Sequence, residues 1–96
     1  MVAMTDIQQR RSEILRIADA HGAHHVRVFG SLARGEGREA SDLDLLVQMD
    51  EDRSLMDRIA LKQALEDLLG VEVDVVNEKA LRPAIRERVL HDLVEL

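Results

Sequence analysis

Apolar positions along the 96-residue chain change their period several times, and each change marks an element. Ile7, Ile14, Leu15, Ile17 and Ala18 recur at helical spacing, with Thr5 or Asp6 placed to cap a first helix and Gly22 to stop it. Residues 25–29 (HVRVF) alternate as a short strand, a turn of helix is expected after Gly30, and residues 35–39 (GEGRE) read as exposed loop. Leu43 to about Met49 reads as a second strand. Between Ser54 and Leu69 the residues Leu55, Ile59, Leu65, Leu68 and Leu69 return to helical spacing, and Gly70 ends that helix. Residues 71–76 (VEVDVV) form a third strand. Pro83 opens a last helix whose inner side would carry Ile85, Val89, Leu90 and Leu93. The order α-β-(short α)-β-α-β-α predicts an α/β layer fold with a small sheet of about three strands.

The second strand holds an oddity, because Asp42 and Asp44 sit in an otherwise apolar run. Strand side chains alternate, so Asp42 and Asp44 project together while Leu43, Leu45 and Val47 project to the other face. The third strand repeats this: Val71, Val73 and Val75 share one face and Asp74 points away. If both apolar faces pack under the same helices, all three aspartates emerge on one uncovered side. Clustered carboxylates repel each other unless a cation sits among them. Hard oxygen ligands without histidine or cysteine favour Mg²⁺ or Mn²⁺ over zinc. Ahead of them, Gly30 and Ser31 follow a strand and open a helical turn, where free N–H groups can hold phosphate oxygens. Arg34, one turn on, could reach the same phosphates. A phosphate cradle beside a divalent-metal site is the equipment of phosphoryl or nucleotidyl transfer.

Composition narrows the field. The length allows one domain, 1–96, and its core must be aliphatic because Phe29 is the only aromatic residue. With no aromatic well placed to stack on a base, nucleotide choice is open. A formal net charge of −6 argues against nucleic acid as the main partner and leaves room for a basic protein surface. Cysteine is absent, which excludes disulfides, thiolate metal sites and cysteine nucleophiles. No segment reads as a signal peptide or membrane span, so a cytoplasmic protein is expected.

The run Gly30-Ser31-Leu32-Ala33-Arg34-Gly35 followed by Ser41-Asp42-Leu43-Asp44-Leu45, with ten residues between Ser31 and Asp42, resembles the signature of the DNA polymerase beta-type nucleotidyltransferase superfamily, in its minimal branch. The resemblance covers most of the chain, from about Val26 through the Pro83 helix. It implies that Gly30 and Ser31 hold the triphosphate of ATP and that Asp42, Asp44 and Asp74 bind Mg²⁺, with two ions implied. Asp74 would also help deprotonate the attacking hydroxyl. It further implies an antitoxin that transfers AMP to a tyrosine of a cognate HEPN-domain ribonuclease toxin, silencing it.

Blander readings stand beside these. A lone Gly-Ser pair is usually a turn and a lone Asp-Leu-Asp a strand end; the spacing and the third aspartate carry the functional reading together. Arg38 reads as a solvated loop residue and Ser41 as a residue orienting the loop before Asp42. Asp74 alone could be an ordinary wet-face strand residue equivalent to Glu72, but its placement after the Gly70 turn favours the site reading. His21, His24 and His25 crowd together but fit helix-end and strand placement better than a metal site, and His91 has no assignment. Two rival functions remain open: an antitoxin that works by occlusion alone, and a small-molecule (aminoglycoside-type) nucleotidyltransferase subunit.

Overall fold

The computed structural model describes residues 2–35 and 42–96. Ser41, Arg38 and most of the expected 35–39 loop lie outside the described residues. The elements are α1 (Met4–Gln9), α2 (Arg11–Ala20), β1 (Ala23–Phe29), α3 (Gly30–Arg34), β2 (Leu43–Met49), α4 (Leu55–Leu69), β3 (Val73–Asn77), a 3₁₀ turn (Glu78–Ala80), α5 (Pro83–His91) and β4 (Val94–Glu95). The sheet order is β3-β2-β1-β4; β2 runs parallel to β3, while β1 is antiparallel to both β2 and β4.

The expected α/β layer fold is present, with differences in detail; β1 begins at Ala23, two residues earlier than expected. The first helix breaks at Arg10 and begins at Met4, so neither Thr5 nor Asp6 is its cap; Ala3 is, and its N–H donates to the Asp6 carboxylate. The third strand begins at Val73 and runs to Asn77. A fourth strand follows α5, because Leu96 buries its side chain in the core and donates its N–H to Val26 O at 3.0 Å. Arg11 Nε also donates to Leu96 O. That strand takes the chain out of helix before Leu93. Finally, α5 buries none of its residues and Ile85 is 46% exposed, so the predicted inner stripe does not face the core.

One aliphatic core joins Ile7, Ile14 and Ala18, Val26 and Val28, Leu43, Leu45 and Val47, Leu61 and Leu65, and Val73 and Val75. Alternation therefore sends the predicted leucine and valine faces of β2 and β3 under α2 and α4. Burying each such side chain contributes about 1.5–3 kcal/mol. Within α4 the inward residues are Leu61 and Leu65, whereas Leu55 is exposed at its first turn. Ser54 and Asp57 close a capping box at its start, and Gly70 ends it in the left-handed conformation. The Ser54 N–H donates to Asp57 at 2.8 Å and holds that carboxyl below its ordinary value.

Helix α4 also finishes the outer edge of the sheet. β3 is an edge strand, and an edge leaves backbone groups without strand partners. Glu66 accepts the Val73 N–H at 3.0 Å, and Arg58 donates to Val75 O at 2.7 Å. Lys62 lies 2.8 Å from the Glu66 carboxylate; with the Val73 N–H it keeps that acid ionised below the usual range. The two bonds bracket Asp74.

The opposite face of the sheet holds a buried ion pair. Arg27, 4% exposed on β1, pairs with Glu78 of the 3₁₀ turn, and its Nε donates to His25 O at 3.0 Å. Gln48 and Arg86 approach the other Glu78 oxygen at 3.4 and 3.9 Å. The Arg27 hydrogen bond is the main cause that holds the Glu78 carboxyl below its ordinary value. Removing one partner of such a pair leaves the other buried and uncompensated. Arg27→Ala is therefore expected to lower the unfolding free energy by about 3 kcal/mol in denaturant titration. Because folding depresses the Glu78 pKa, its contribution is complete above the ordinary glutamate range and disappears as pH falls through the depressed folded value. Thermal unfolding of Glu78→Gln should accordingly lose less stability between neutral and acid pH than the parent protein; equal losses would contradict this role.

Candidate active site

Register places the predicted carboxylates. Asp44 on β2 pairs with Asp74 on the parallel strand β3 and with Phe29 on the antiparallel strand β1. Paired residues on adjacent strands share a face and lie roughly 5 Å apart, so Asp44 and Asp74 project side by side. Gly30, the residue after Phe29, closes against Asp44 from the other side. A methyl group built on Gly30 would stand 2.5 Å from Asp44 Oδ2, and Gly30 has φ +77°, a conformation that side chains resist. Only glycine lets the β1–α3 turn approach the carboxylate this closely.

The predicted uncovered side needs correction at Asp44. This residue is only 5% exposed, because β2 is an inner strand and the Gly30 turn covers it. Asp74 is half-buried. Ser31 is 2% exposed, while Arg34 at the end of α3 is exposed.

Asp42 is exposed and lies just before β2. Its carboxylate accepts the Glu72 N–H at 3.2 Å, and its own N–H donates to Glu72 O at 3.0 Å. That bonding ties Asp42 to Glu72, the residue just before β3. Among the described residues no three histidine, aspartate or glutamate side chains stand together as metal ligands. The structure thus brings Asp44, Asp74 and Gly30 together and commits one oxygen of Asp42 to the Glu72 N–H. The donors still fit a hard divalent cation: two carboxylates are adjacent on one face, and the chain supplies no thiolate to favour a softer metal.

The histidines take structural partners. His21 Nδ1 lies 2.8 Å from Ile17 O at the end of α2, His24 lies between Asp19 and Asp50, and His25 pairs with Glu95. His25 has φ +51° where a bulge interrupts the β1–β2 register. Sequence patterning gave no sign of the Arg27–Glu78 pair or of the Arg58 and Glu66 bonds to β3, since each joins residues from separate elements with no shared motif.

Gly30→Ala tests the packing of the turn on Asp44. Strain at positive φ and the clash with a buried carboxylate should together cost about 1–3 kcal/mol in thermal or chemical unfolding. A variant as stable as the parent would show that the turn does not seat on Asp44.

The chain is similar to known proteins along most of its length. The family model of the nucleotidyltransferase domain matches residues 11–96. A Methanocaldococcus jannaschii relative, assigned by name as a protein adenylyltransferase, is 38% identical over 91 residues, covering 95% of this chain and 98% of its own. A solved structure described as a minimal nucleotidyltransferase superposes with TM-score 0.85 at 52% identity, over 99% of this chain and 97% of that one. A chain from the complex of tri-AMPylated Shewanella oneidensis HEPN toxin with MNT antitoxin superposes with TM-score 0.71 over 92% of this chain and 69% of that one. Its identity is 19%, a likeness of fold. With the glycine turn and paired aspartates in place, this chain belongs to the nucleotidyltransferase domain family, in its minimal branch, and is a nucleotidyltransferase enzyme.

Proposed function

We propose that this enzyme transfers AMP from ATP to a tyrosine hydroxyl of a HEPN-domain toxin and so acts as its antitoxin. One observation carries the reading: Asp44 is seated between the Gly30 turn and Asp74, which sets a phosphate-binding turn against two adjacent carboxylates. The relative named as a protein adenylyltransferase supports a protein acceptor, and the fold shared with the AMPylated-toxin complex supports a HEPN partner. The net charge of −6 suits a basic RNA-binding surface on that partner. Among the described residues no helix is long and apolar enough to cross a membrane.

In this reaction the acceptor oxygen attacks the α-phosphorus, the bond from that phosphorus to the bridging oxygen breaks, and pyrophosphate leaves. Gly30 and the backbone of the turn hold the phosphates, with Arg34 adding charge from the end of α3. Asp74, the more open of the paired carboxylates, takes the proton from the acceptor hydroxyl. Asp44 and Asp74 would hold the divalent cation, Mg²⁺ by donor chemistry, and Asp42 would join them by releasing the Glu72 N–H. When bound there, the cation would supply positive charge beside the phosphates.

A second reading, neutralisation by binding alone, draws on Asp42, whose carboxylate already accepts a backbone N–H. One experiment separates the readings. The protein is incubated with Mg²⁺, each nucleoside triphosphate in turn and the product of the adjacent gene, and intact-mass spectrometry follows the partner. AMP adducts that disappear with Asp44→Asn, while the complex still forms, are the expected result. A tight complex without an adduct under any nucleotide would leave occlusion as the function, and an adduct on an aminoglycoside without a protein partner would replace both.

A further inference from the structure

Helix α5 has an unusual position for a helix with apolar residues. None of its side chains is buried, yet Ile85 and Val89 lie along one side, four residues apart. Those two residues line a cavity of about 400 Å³ together with Phe29, Gly30, Arg34 and Arg88. Its volume falls within the range of small-molecule sites. Phe29 is the only aromatic residue of the chain, and it stands beside Asp44 in register. The apolar side of α5 thus faces the reactive end of the sheet across a space, which accounts for its absence from the core.

Two arginines line that space. A second cavity, of about 420 Å³, has Arg34 and Arg88 in its lining as well, with Glu87, His91 and Asp92. Arg88 therefore borders both cavities beside Arg34. Among the described residues no carboxylate lies within ion-pair distance of Arg88, although Glu87 and Asp92 are close along the chain. A guanidinium in a cavity walled by apolar groups, opposite a turn whose backbone suits phosphate oxygens, calls for an anion. Arg86, two residues earlier, reaches back to Glu78 at 3.9 Å and so ties α5 to the Arg27–Glu78 pair.

We propose that α5 is the far wall of the nucleotide pocket and that Arg88 binds the polyphosphate of ATP across the cavity from Gly30 and Arg34. This rests on the nucleotidyltransferase reading of the site and extends it to a residue outside the glycine turn and the aspartates. Phe29, Ile85 and Val89 form the apolar surface against which the rest of the nucleotide lies.

Calorimetric titration of the intact protein with ATP and, separately, with adenosine tests the proposal. Arg88→Gln should weaken ATP roughly tenfold, the size of one lost charge-assisted hydrogen bond, and leave adenosine unchanged. Arg88→Lys should recover part of the ATP affinity. Since Arg88 is exposed, thermal unfolding of both variants should match the parent. Equal ATP affinity in Arg88→Gln and the parent would overturn the role of Arg88 while the nucleotidyltransferase reading stood. Equal losses for ATP and adenosine would also overturn it, by showing a general effect on the pocket. A parent protein that binds neither ligand would defeat the site reading itself, and this proposal with it.

Discussion

A carboxylate held almost out of solvent in the middle of a sheet is the constraint on which the rest of this molecule depends. Asp44 is on an inner strand, and burial of a charge is costly unless the surroundings answer it. Asp74 on β3 stands level with it on one side, and β1 presents Phe29 and then the backbone of Gly30 on the other. Two acids side by side raise the electrostatic cost, and a cation shared between them would lower it. The same strand meets its apolar obligations through Leu43, Leu45 and Val47 on the reverse face, all fully buried or nearly so. Stability and chemistry thus use alternate residues of one strand.

The surrounding elements hold that strand arrangement in register. Glu66 and Arg58 reach from α4 to Val73 and Val75, satisfying edge groups of β3 on either side of Asp74. Arg27 and Glu78 fasten the turn after β3 to β1, and Arg86 extends the fastening to α5. Carboxylate placement therefore depends on polar contacts at the edge and the exit of β3 as well as on the core. A short edge strand with no such contacts would shift easily, and a slip of one residue would send Asp74 to the opposite face.

Much of this was legible in the chain because the signals are local. The Gly30-Ser31 turn, the alternation around Asp44, the Ser54 start and Gly70 stop of α4, and Pro83 at the head of α5 all act within a few residues. The misreadings have a common cause in contacts between distant segments. β4 has two residues and exists because Leu96 and Val94 pair with β1. The break at Arg10 has no proline or glycine to announce it. Ile85 keeps helical spacing with Val89, but periodicity reports an apolar side without saying whether a core or a cavity lies opposite. For the site, alternation correctly set Asp44 and Asp74 on one face; it could not foresee that the Asp42 carboxylate would accept the Glu72 N–H.

Under the proposed function, register sets Asp44 and Asp74 level with each other so that both would hold the same cation. Electron paramagnetic resonance of Mn²⁺ titrated into the protein with a non-hydrolysable ATP analogue measures that binding directly. Asp44→Asn and Asp74→Asn are each expected to weaken Mn²⁺ binding by more than roughly tenfold, as loss of a charged ligand should. An Asp74→Asn protein that holds Mn²⁺ as tightly as the parent would contradict this shared role.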